Sequence, residues 1–177
     1  MKKIILRPWK TEDAQALAKA ANHPQIAQNL RNAFPHPYTL EDAVWFINDC
    51  IAKEGTDQML RAIEVDAVAV GGISISKKDD VYEKSAELGY WLSKDYWNQG
   101  ITTQAVRMIC KEAFDTFDIL RIFAEPFAYN TGSRSVLEKA GFMYEGTMRD
   151  GVYKNGCVHS YCMYSLLRRE AQLLYGK

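Results

Sequence analysis

The segment from Leu88 to Val106 has the residue pattern of an anion-binding site. Its aromatic and apolar start predicts a strand, and apolar residues at every fourth position after Gly100 predict a helix. The first amides of a helix have no intrahelical partner and lie at the positive end of its dipole. Gly100 would let an anion approach these amides, and Thr102 and Thr103 would add hydroxyl donors. A pyrophosphate is the natural occupant of such a junction.

Two well-known phosphate-binding motifs are missing from the chain. It contains neither GxxxxGK[ST] nor GxGxxG, so it lacks the fingerprints of P-loop enzymes and of dinucleotide-binding folds. One glycine at a strand-to-helix turn is more often only a turn. The junction therefore needs support from the rest of the sequence before it indicates a function.

The composition predicts one globular domain over residues 1–177. The chain is 47% hydrophobic and 25% charged, which is typical of a soluble protein. Lys plus Arg and Asp plus Glu are equal at 22 each, so the net charge is zero. This balance argues against a direct nucleic-acid partner, although a local basic groove for a phosphorylated cofactor remains open.

The cysteines and the apolar runs indicate the compartment. The four cysteines form no CxxC pair and no ligand-like cluster with the three histidines, so no metal is predicted. Cys110 falls in a helical apolar pattern, which favours a reduced packing role. No apolar run approaches about 18 residues, and MKKIILRPW lacks the apolar stretch of a signal peptide. We therefore expect a cytoplasmic protein with free thiols and no membrane partner.

The remaining patterns predict the elements that position the junction. Thr39 begins a helix with Asp42 completing a capping box, and its apolar stripe is Ala43, Phe46, Ile47 and Ile51. Asp66-Ala67 separates two β-rich runs and suits a tight hairpin. In chain order, we predict a strand at Lys3–Arg7, helices from Thr11 to about Ala21, from Pro24 to about Arg31 and from Thr39, strands Met59–Val65, Val68–Ser76 and Ser85–Ser93, helix Gly100–Phe117, strand Leu120–Glu125, helix Thr131–Ala140, and strands Phe142–Arg149 and Val158–Leu167. This order predicts an α+β fold on one central sheet.

Four segments together resemble one enzyme family. Trp97-Asn98-Gln99-Gly100-Ile101-Thr102 resembles the pyrophosphate loop of GNAT N-acetyltransferases, whose pattern is Gln/Arg-x-x-Gly-x-Gly/Ala. Pro37–Ala43, Asn130–Phe142 and Tyr144–Gly146 with the Asn155-Gly156 turn are similar to the ribosomal-protein N-terminal (RimJ/RimL-type) branch, in the correct order over nearly the whole chain. Two departures are Thr102, where Gly or Ala is usual, and Asn98, where that branch commonly has Gly.

The resemblance implies a GNAT-like fold with a mixed, mostly antiparallel sheet flanked by helices, and an acetyl-CoA-dependent enzyme without a metal. It places the pantetheine arm along a strand end and the pyrophosphate on the loop and the helix after it. Asn130, a strong N-cap residue, would also bond the pantetheine near the thioester. The cofactor-binding residues it implies are Tyr90, Trp91, Leu92, Asn98, Gln99, Gly100, Ile101, Thr102, Thr103 and Asn130.

The resemblance also implies two catalytic roles. Many GNAT enzymes protonate the departing thiolate with a tyrosine on the late helix, but Leu137 occupies that position here. Ser133 matches the serine of the ribosomal branch, so we expect it to be the general acid, with a helix-surface hydroxyl as the alternative. Val152 stands where a close relative of that branch has its base, and Asp150 would share its strand face. We favour Glu87 as the base, with a solvated strand carboxylate as the alternative.

The acceptor is expected between residues 22 and 46 and the last two strands, where Phe34, Tyr38 and Trp45 would line an aromatic wall or simply pack. The branch resemblance implies a protein or peptide α-amine, such as a ribosomal-protein N-terminus. A polyamine, an aminoglycoside or a free amino acid is the alternative acceptor. A non-catalytic acyl-CoA-binding module is an alternative of another class, and a homodimer is left open.

Overall fold

The computed structural model describes residues 3–176, which form one seven-stranded sheet with helices packed against it. The strand order is β1-β2-β3-β4-β5-β7-β6, and all neighbours are antiparallel except β4 and β5. This is the α+β fold with a mixed, mostly antiparallel sheet that the sequence predicts. The elements are β1 Ile4–Pro8, α1 Ala14–Ala21, α2 Pro24–Ala27, α3 Leu40–Lys53, β2 Gln58–Val65, β3 Val68–Lys77, β4 Ser85–Leu92, α4 Ile101–Thr116, β5 Arg121–Ala124, α5 Thr131–Ala140, β6 Met143–Lys154, β7 Cys157–Leu167 and α6 Arg168–Tyr175.

The sheet separates two apolar cores. Ile63 and Val70 pack in one core with helices α4, α5 and α6, while their neighbours Ala62 and Ala69 pack in the other with α1 and α3. Successive residues of a strand point to opposite faces, so the two cores lie on the two sides of the sheet. The first core contains the predicted four-residue repeat of α4, in which Ile101, Ala105, Ile109 and Ala113 are all buried.

The β2–β3 hairpin closes as predicted on Asp66 and Ala67. Both residues have positive φ, at 51° and 66°, which is the conformation of a two-residue turn that matches the twist of antiparallel strands. Left-handed backbone is uncommon for residues other than glycine and asparagine, so the pairing of β2 with β3 stabilises a conformation that is unfavourable for Ala67.

Helix α3 has the predicted start but a different apolar stripe. The amide of Asp42 donates to Thr39 Oγ1 at 3.2 Å, and the amide of Thr39 donates to Asp42 Oδ2 at 2.8 Å, which completes the capping box. Ile51, predicted to be core, is 48% exposed, whereas Cys50 is buried together with Ala43 and Ile47. The stripe therefore follows the i, i+4, i+7 spacing and leaves Ile51 on the solvent side.

Other boundaries differ from the predicted ones. Residues Thr11–Asp13 form a 3-10 turn instead of the first turn of α1, and α2 ends at Ala27 instead of near Arg31. In the 3-10 turn the Asp13 amide donates to the Lys10 carbonyl at 3.0 Å, and the Asp13 carboxylate accepts hydrogen bonds from Arg7 and from the Lys10 amide. Strand β6 continues beyond Arg149 to Lys154, and α6 was not predicted.

The remaining sequence expectations concern thiols and membranes. All four cysteines are free; Cys50, Cys110 and Cys162 are buried and Cys157 is exposed, so Cys110 has the predicted packing role. Within residues 3–176, no helix has both the length and the apolar character needed to cross a membrane.

Candidate active site

Strands β4 and β5 separate after three residue pairs. They pair in parallel only at Ser85–Arg121, Ala86–Ile122 and Glu87–Phe123, although β4 continues to Leu92 with β3 along its other edge. The chain after β5 follows β7 instead, since the Cys162 amide donates to the Pro126 carbonyl at 2.9 Å. Within the described residues, β4 therefore has no strand partner on this side from Leu88 to Leu92. Such an edge can bind the amides of an extended ligand.

A cleft of about 1390 Å³ opens at this separation. Most of the predicted site residues line it, from both sides of the split. Gln99, Gly100, Ile101 and Thr103 do not line it but lie on the adjoining loop and first helical turn, and Ile101 is buried in the core. The predicted residues that the cleft brings together are Glu87, Tyr90, Trp91, Leu92, Asn98, Thr102, Asn130 and Ser133.

Helix α4 begins at the end of the cleft with a left-handed residue. Gly100 has φ 75° and ψ 0°, and a Cβ built on it would meet nothing within 4 Å. Glycine is thus required here for its backbone conformation, and the space beside it is open. The amides of residues 101–103 have no intrahelical acceptor, so this end of the helix offers donors and positive dipole to an anion.

The loop before α4 is fixed by its own side chains. Trp97 Nε1 donates to the Leu92 carbonyl at 2.8 Å, and Gln99 Nε2 donates to the Asp95 carbonyl at 3.0 Å. Asn98 has φ 59°, a left-handed conformation that asparagine tolerates better than most residues. Asn98 therefore takes the conformation that a glycine would take at this position. Gln99 shapes the loop through its side chain and leaves the backbone donors of α4 for a ligand.

Ser133 lies on the first turn of α5 and is held by two residues. Its amide donates to Asn130 Oδ1 at 3.1 Å, which confirms Asn130 as the N-cap. The Tyr90 hydroxyl lies 2.8 Å from Ser133 Oγ and donates to the Ser133 carbonyl at 3.1 Å. Burial raises the pKa of Tyr90 well above its usual value, so this phenol stays protonated. Leu137, in the place of the usual tyrosine, is fully buried in the core.

Glu87 stands among charged side chains where β4 and β5 part. Arg31, from the loop after α2, bonds Glu87 Oε1, and Lys78 Nζ lies 2.6 Å from Glu87 Oε2. The same Arg31 nitrogen, Nη2, lies 3.0 Å from Glu125 Oε2. Both oxygens of Glu87 thus already accept a hydrogen bond from a cation, and each keeps a further lone pair for a ligand.

The acceptor side of the cleft contains the predicted aromatic residues. The ring of Phe34 lies 4.9 Å from that of Tyr38 and 5.8 Å from that of Trp91, measured between centroids. Tyr38 is buried and its pKa is raised by burial, so its ring belongs to the packing. Trp45 is 68% exposed at the rim of the cleft. All three predicted aromatic residues thus line the cleft together with Trp91, and Trp45 lies at its rim, apart from the contacting rings of Phe34, Tyr38 and Trp91.

Two positions on β6 differ from their predicted geometry. The register of β6 against β7 shifts between Met148 and Val152, and Asp150 lies within this bulge with φ 52°. Asp150 is exposed and does not share the strand face of Val152, which does line the cleft. The expectation of a shared face fails because it assumes a regular strand.

Arg31, Glu125 and Lys154 are charged residues of the cleft that were not predicted from the sequence. Lys154 is only 6% exposed, its Nζ lies 3.3 Å from Asn32 Oδ1, and burial lowers its pKa. Glu125 comes directly before Pro126 at the end of β5, where a strand edge could have been suspected. No local pattern marks Arg31 or Lys154. Within residues 3–176, no group of three or more His, Cys, Asp or Glu side chains is arranged to hold a metal ion.

Known proteins of similar sequence and fold share this architecture. A sequence model of the acetyltransferase (GNAT) domain matches residues 3–143. A candidate ribosomal N-acetyltransferase of Bacillus subtilis (strain 168), YdaF, is 41% identical over 105 residues, which are 59% of this chain and 57% of that relative. A crystal structure described as a probable acetyltransferase is 32% identical over 94% of both chains, with a TM-score of 0.84. The structure of RimL, a ribosomal L7/L12 α-N-protein acetyltransferase in complex with coenzyme A, shares the fold at 21% identity, with a TM-score of 0.80 over 94% of this chain and 95% of its own.

Proposed function

The chain belongs to the GNAT acetyltransferase family, as its motifs predict, and from this premise we propose that it transfers an acetyl group from acetyl-CoA to the α-amine of a protein or peptide N-terminus. The observation that carries the proposal is the separation of β4 from β5. It opens a continuous path from the N-terminus of α4, along the free edge of β4, to Ser133 and Glu87.

The cofactor half of the path matches acetyl-CoA in its donors. The amides of residues 101–103 and the Thr102 hydroxyl would bind the pyrophosphate. The backbone groups of Tyr90 and Leu92 face the free edge of β4 and would bond the pantetheine amides as a neighbouring strand does, whereas the backbone of Trp91 faces β3 and its side chain lines the cleft. Asn130, already the cap of α5, has its amide nitrogen available for the same arm. The RimL structure named above contains coenzyme A in the same fold, which supports this assignment.

The reaction needs one group to take a proton from the amine and one to give a proton to sulfur. We assign the second task to Ser133, whose hydroxyl protonates the sulfur as the carbon–sulfur bond breaks. The Tyr90 hydroxyl, 2.8 Å away, holds Ser133 Oγ in position. We assign the first task to Glu87, which accepts a proton from the amine, directly or through water, as the new carbon–nitrogen bond forms.

A peptide α-amine suits this site better than a lysine side chain. The pKa of an α-amine is about 7.7–8.0 and that of lysine about 10.4, so far more of the α-amine is already the neutral nucleophile at neutral pH. Such an acceptor depends less on proton removal by Glu87, both of whose oxygens are engaged by cations. The name of the YdaF relative points to the same class of substrate.

The test is an acceptor screen with purified protein and acetyl-CoA. Peptides with a free N-terminus, the same peptides with a blocked N-terminus and an internal lysine, a polyamine, an aminoglycoside and a free amino acid are compared by mass spectrometry of the product. We expect the free N-termini to have the highest kcat/KM. Faster acetylation of the polyamine, the aminoglycoside or lysine would contradict the acceptor assignment, and coenzyme binding without turnover on any amine would contradict the enzyme itself.

A further inference from the structure

A single nitrogen of Arg31 lies between two carboxylates at the base of the cleft. Its Nη2 bonds Glu87 Oε1 and lies 3.0 Å from Glu125 Oε2. Glu87 is the last residue of β4 that pairs with β5, and Glu125 is the first residue after β5. The two carboxylates therefore come from the two strands that separate, and they converge where the cleft begins.

The exposure of the three side chains is unequal. The side chains of Glu87 and Glu125 are only 17% and 26% exposed, whereas that of Arg31 is 66% exposed. The carboxylates belong to the sheet, and the cation reaches them from a loop on the solvent side. An ion pair in which one partner is mostly in water contributes little to stability, so the guanidinium can leave at small cost.

Lys78 keeps Glu87 in place when Arg31 leaves. Its Nζ holds the other carboxylate oxygen of Glu87 at 2.6 Å, and Lys78 also lies 5.5 Å from the Phe123 ring centroid. Departure of Arg31 would leave Glu87 with one cation, and within residues 3–176 no other cation pairs with Glu125. Two partly buried carboxylates would then face one vacated position, which favours the entry of another cation.

We propose that Glu87 and Glu125 form the binding site for the ammonium group of the acceptor, and that Arg31 occupies this site in the free enzyme. A protonated primary amine has one nitrogen with three N–H donors, and it can bond both carboxylates from the position that Arg31 Nη2 now takes. The exchange conserves charge, since one monovalent cation replaces another. Glu125 thus holds the acceptor, and Glu87 is positioned to receive its proton. This inference rests on the proposed function and adds the location of the amine.

The test measures the KM of a peptide acceptor for the wild type and for Arg31→Ala and Glu125→Gln. Arg31→Ala removes the side chain that competes with the acceptor. Because an exposed ion pair is weak, the acceptor KM should fall only about two- to fivefold. Loss of a charge-assisted hydrogen bond in Glu125→Gln should raise the acceptor KM about tenfold. The KM for acetyl-CoA, which binds along the other end of the cleft, should not change in either variant.

Two lysine variants serve as charge controls. Lys84→Ala removes a positive charge from an exposed pair with Asp118, outside the residues that line the cleft. Lys78→Ala removes the other cation of Glu87 without vacating the position between the carboxylates. If either variant lowers the acceptor KM as much as Arg31→Ala does, the effect is one of overall charge and the proposal is overturned. A raised or unchanged acceptor KM in Arg31→Ala overturns it as well.

A binding measurement separates this inference from the proposed function. Calorimetry with an alanyl tripeptide in the presence of coenzyme A, which cannot transfer an acetyl group, gives affinities without turnover. We expect Arg31→Ala to bind the tripeptide more tightly than the wild type and Glu125→Gln to bind it more weakly, with the N-acetylated tripeptide as the control. The reverse order, or equal affinities, overturns the inference. Absence of acetyl transfer to any amine would instead contradict the proposed function while leaving this order measurable.

Discussion

The hydroxyl of Tyr90 lies 2.8 Å from Oγ of Ser133, so a residue of β4 and a residue of α5 meet across the cleft. Tyr90 also donates to the Ser133 carbonyl at 3.1 Å, and Asn130 Oδ1 accepts from the Ser133 amide. A half-buried phenol from one wall of the cleft thus reaches the hydroxyl of Ser133 on the first turn of the helix in the other wall. This arrangement places a tyrosine hydroxyl near the reaction centre from the strand, whereas Leu137 replaces the usual tyrosine on the helix.

Ser133→Ala and Tyr90→Phe should lower kcat through a shared step. If Ser133 protonates sulfur, its removal costs about 10²–10⁴-fold in kcat with little change in acetyl-CoA affinity. Tyr90→Phe should lower kcat less, because Ser133 keeps its own proton. In the double variant the two losses should not add, since Tyr90 acts through Ser133. Additive losses, or nearly full kcat in Ser133→Ala, would indicate protonation by solvent and a structural role for both residues.

Two substitutions can separate the capping role of Asn130 from its proposed role in acetyl-CoA binding. Asn130→Ala removes the cap of α5 and should lower the free energy of unfolding by about 0.5–2 kcal/mol. Asn130→Asp keeps an oxygen for the Ser133 amide, so its melting temperature should stay near that of the wild type, but it removes the amide donor. If that donor bonds pantetheine, Asn130→Asp loses acetyl-CoA affinity in calorimetry. Unchanged affinity would reduce Asn130 to a capping residue.

Local sequence patterns predict the elements whose cause is local. The Asp66-Ala67 turn and the Thr39–Asp42 capping box depend on residues within a few positions, and both are present. The start of helix α6, which was not predicted, is held both by a local contact, in which the Leu167 amide donates to Glu170 Oε2 at 2.9 Å, and by distant parts of the fold. Arg168 at its first position donates to the carbonyls of Phe117 and Ile119, both at 2.8 Å. The sequence around Arg168 does not reveal these acceptors.

The two halves of the site also differ in whether neighbouring or distant residues form them. The proposed cofactor half lies mainly between Leu88 and Thr103, with Asn130 added from α5, and its chemistry follows from a strand, a glycine and a helix start. The acceptor half is assembled from residues far apart in the chain, such as Arg31 with Glu87 and Glu125, or Lys154 with Asn32. No spacing rule connects such pairs, so the sequence names Glu87 as a candidate base without indicating its partners. Nor can Leu137→Tyr restore the tyrosine of other GNAT enzymes without damage, because Leu137 has no exposed surface and a larger side chain would overpack the core.

Thiol reactivity should follow burial. Cys157 is exposed and the other three cysteines are buried, and burial raises the pKa of the Cys50 thiol to about 12. A thiolate is needed for reaction, so at pH 8 the native protein should react rapidly with a disulfide reagent at Cys157 alone. Denaturation should expose all four thiols. Cys157→Ser should abolish the rapid phase, and a rapid phase in that variant would show that the core opens readily.

Acid stability should depend on Glu145. Arg121 bonds both of its carboxylate oxygens at 2.6 Å and Ser165 Oγ donates at 2.6 Å, which lowers the pKa of Glu145 to about 2. Because the folded pKa lies below the unfolded value of about 4.3, the ion pair stabilises the fold above that pH, and its contribution is lost as the pH falls towards 2. The difference in melting temperature between the wild type and Glu145→Gln should therefore be largest near pH 6 and should shrink below about pH 4.5.

Asp118→Asn is the matched control for this pH dependence. Asp118 pairs with Lys84 at the surface, and both side chains are largely exposed, so salt should screen their interaction. We expect a smaller effect on melting temperature than for Glu145→Gln, and one that disappears at high ionic strength. A difference between the wild type and Glu145→Gln that does not vary with pH would mean that packing at Glu145, rather than its charge, stabilises the protein.

Gly100 offers the most direct test of the cofactor site, with Gly55 as its control. Both glycines have left-handed backbone, with φ 75° and 82°, and a Cβ built on either meets nothing within 4 Å. Gly100→Val and Gly55→Val should therefore lower the free energy of unfolding by similar amounts, about 1–3 kcal/mol of backbone strain, so the fold of Gly100→Val is weakened even without a clash.

Only Gly100 begins α4, and only its substitution should keep a pyrophosphate from the free amides of residues 101–103. Each charge-assisted bond lost is worth about 1.5–3 kcal/mol, so calorimetry should show severely weakened acetyl-CoA binding in Gly100→Val and unchanged binding in Gly55→Val. Equal acetyl-CoA affinities in the two folded variants would show that the pyrophosphate does not bind at the start of this helix.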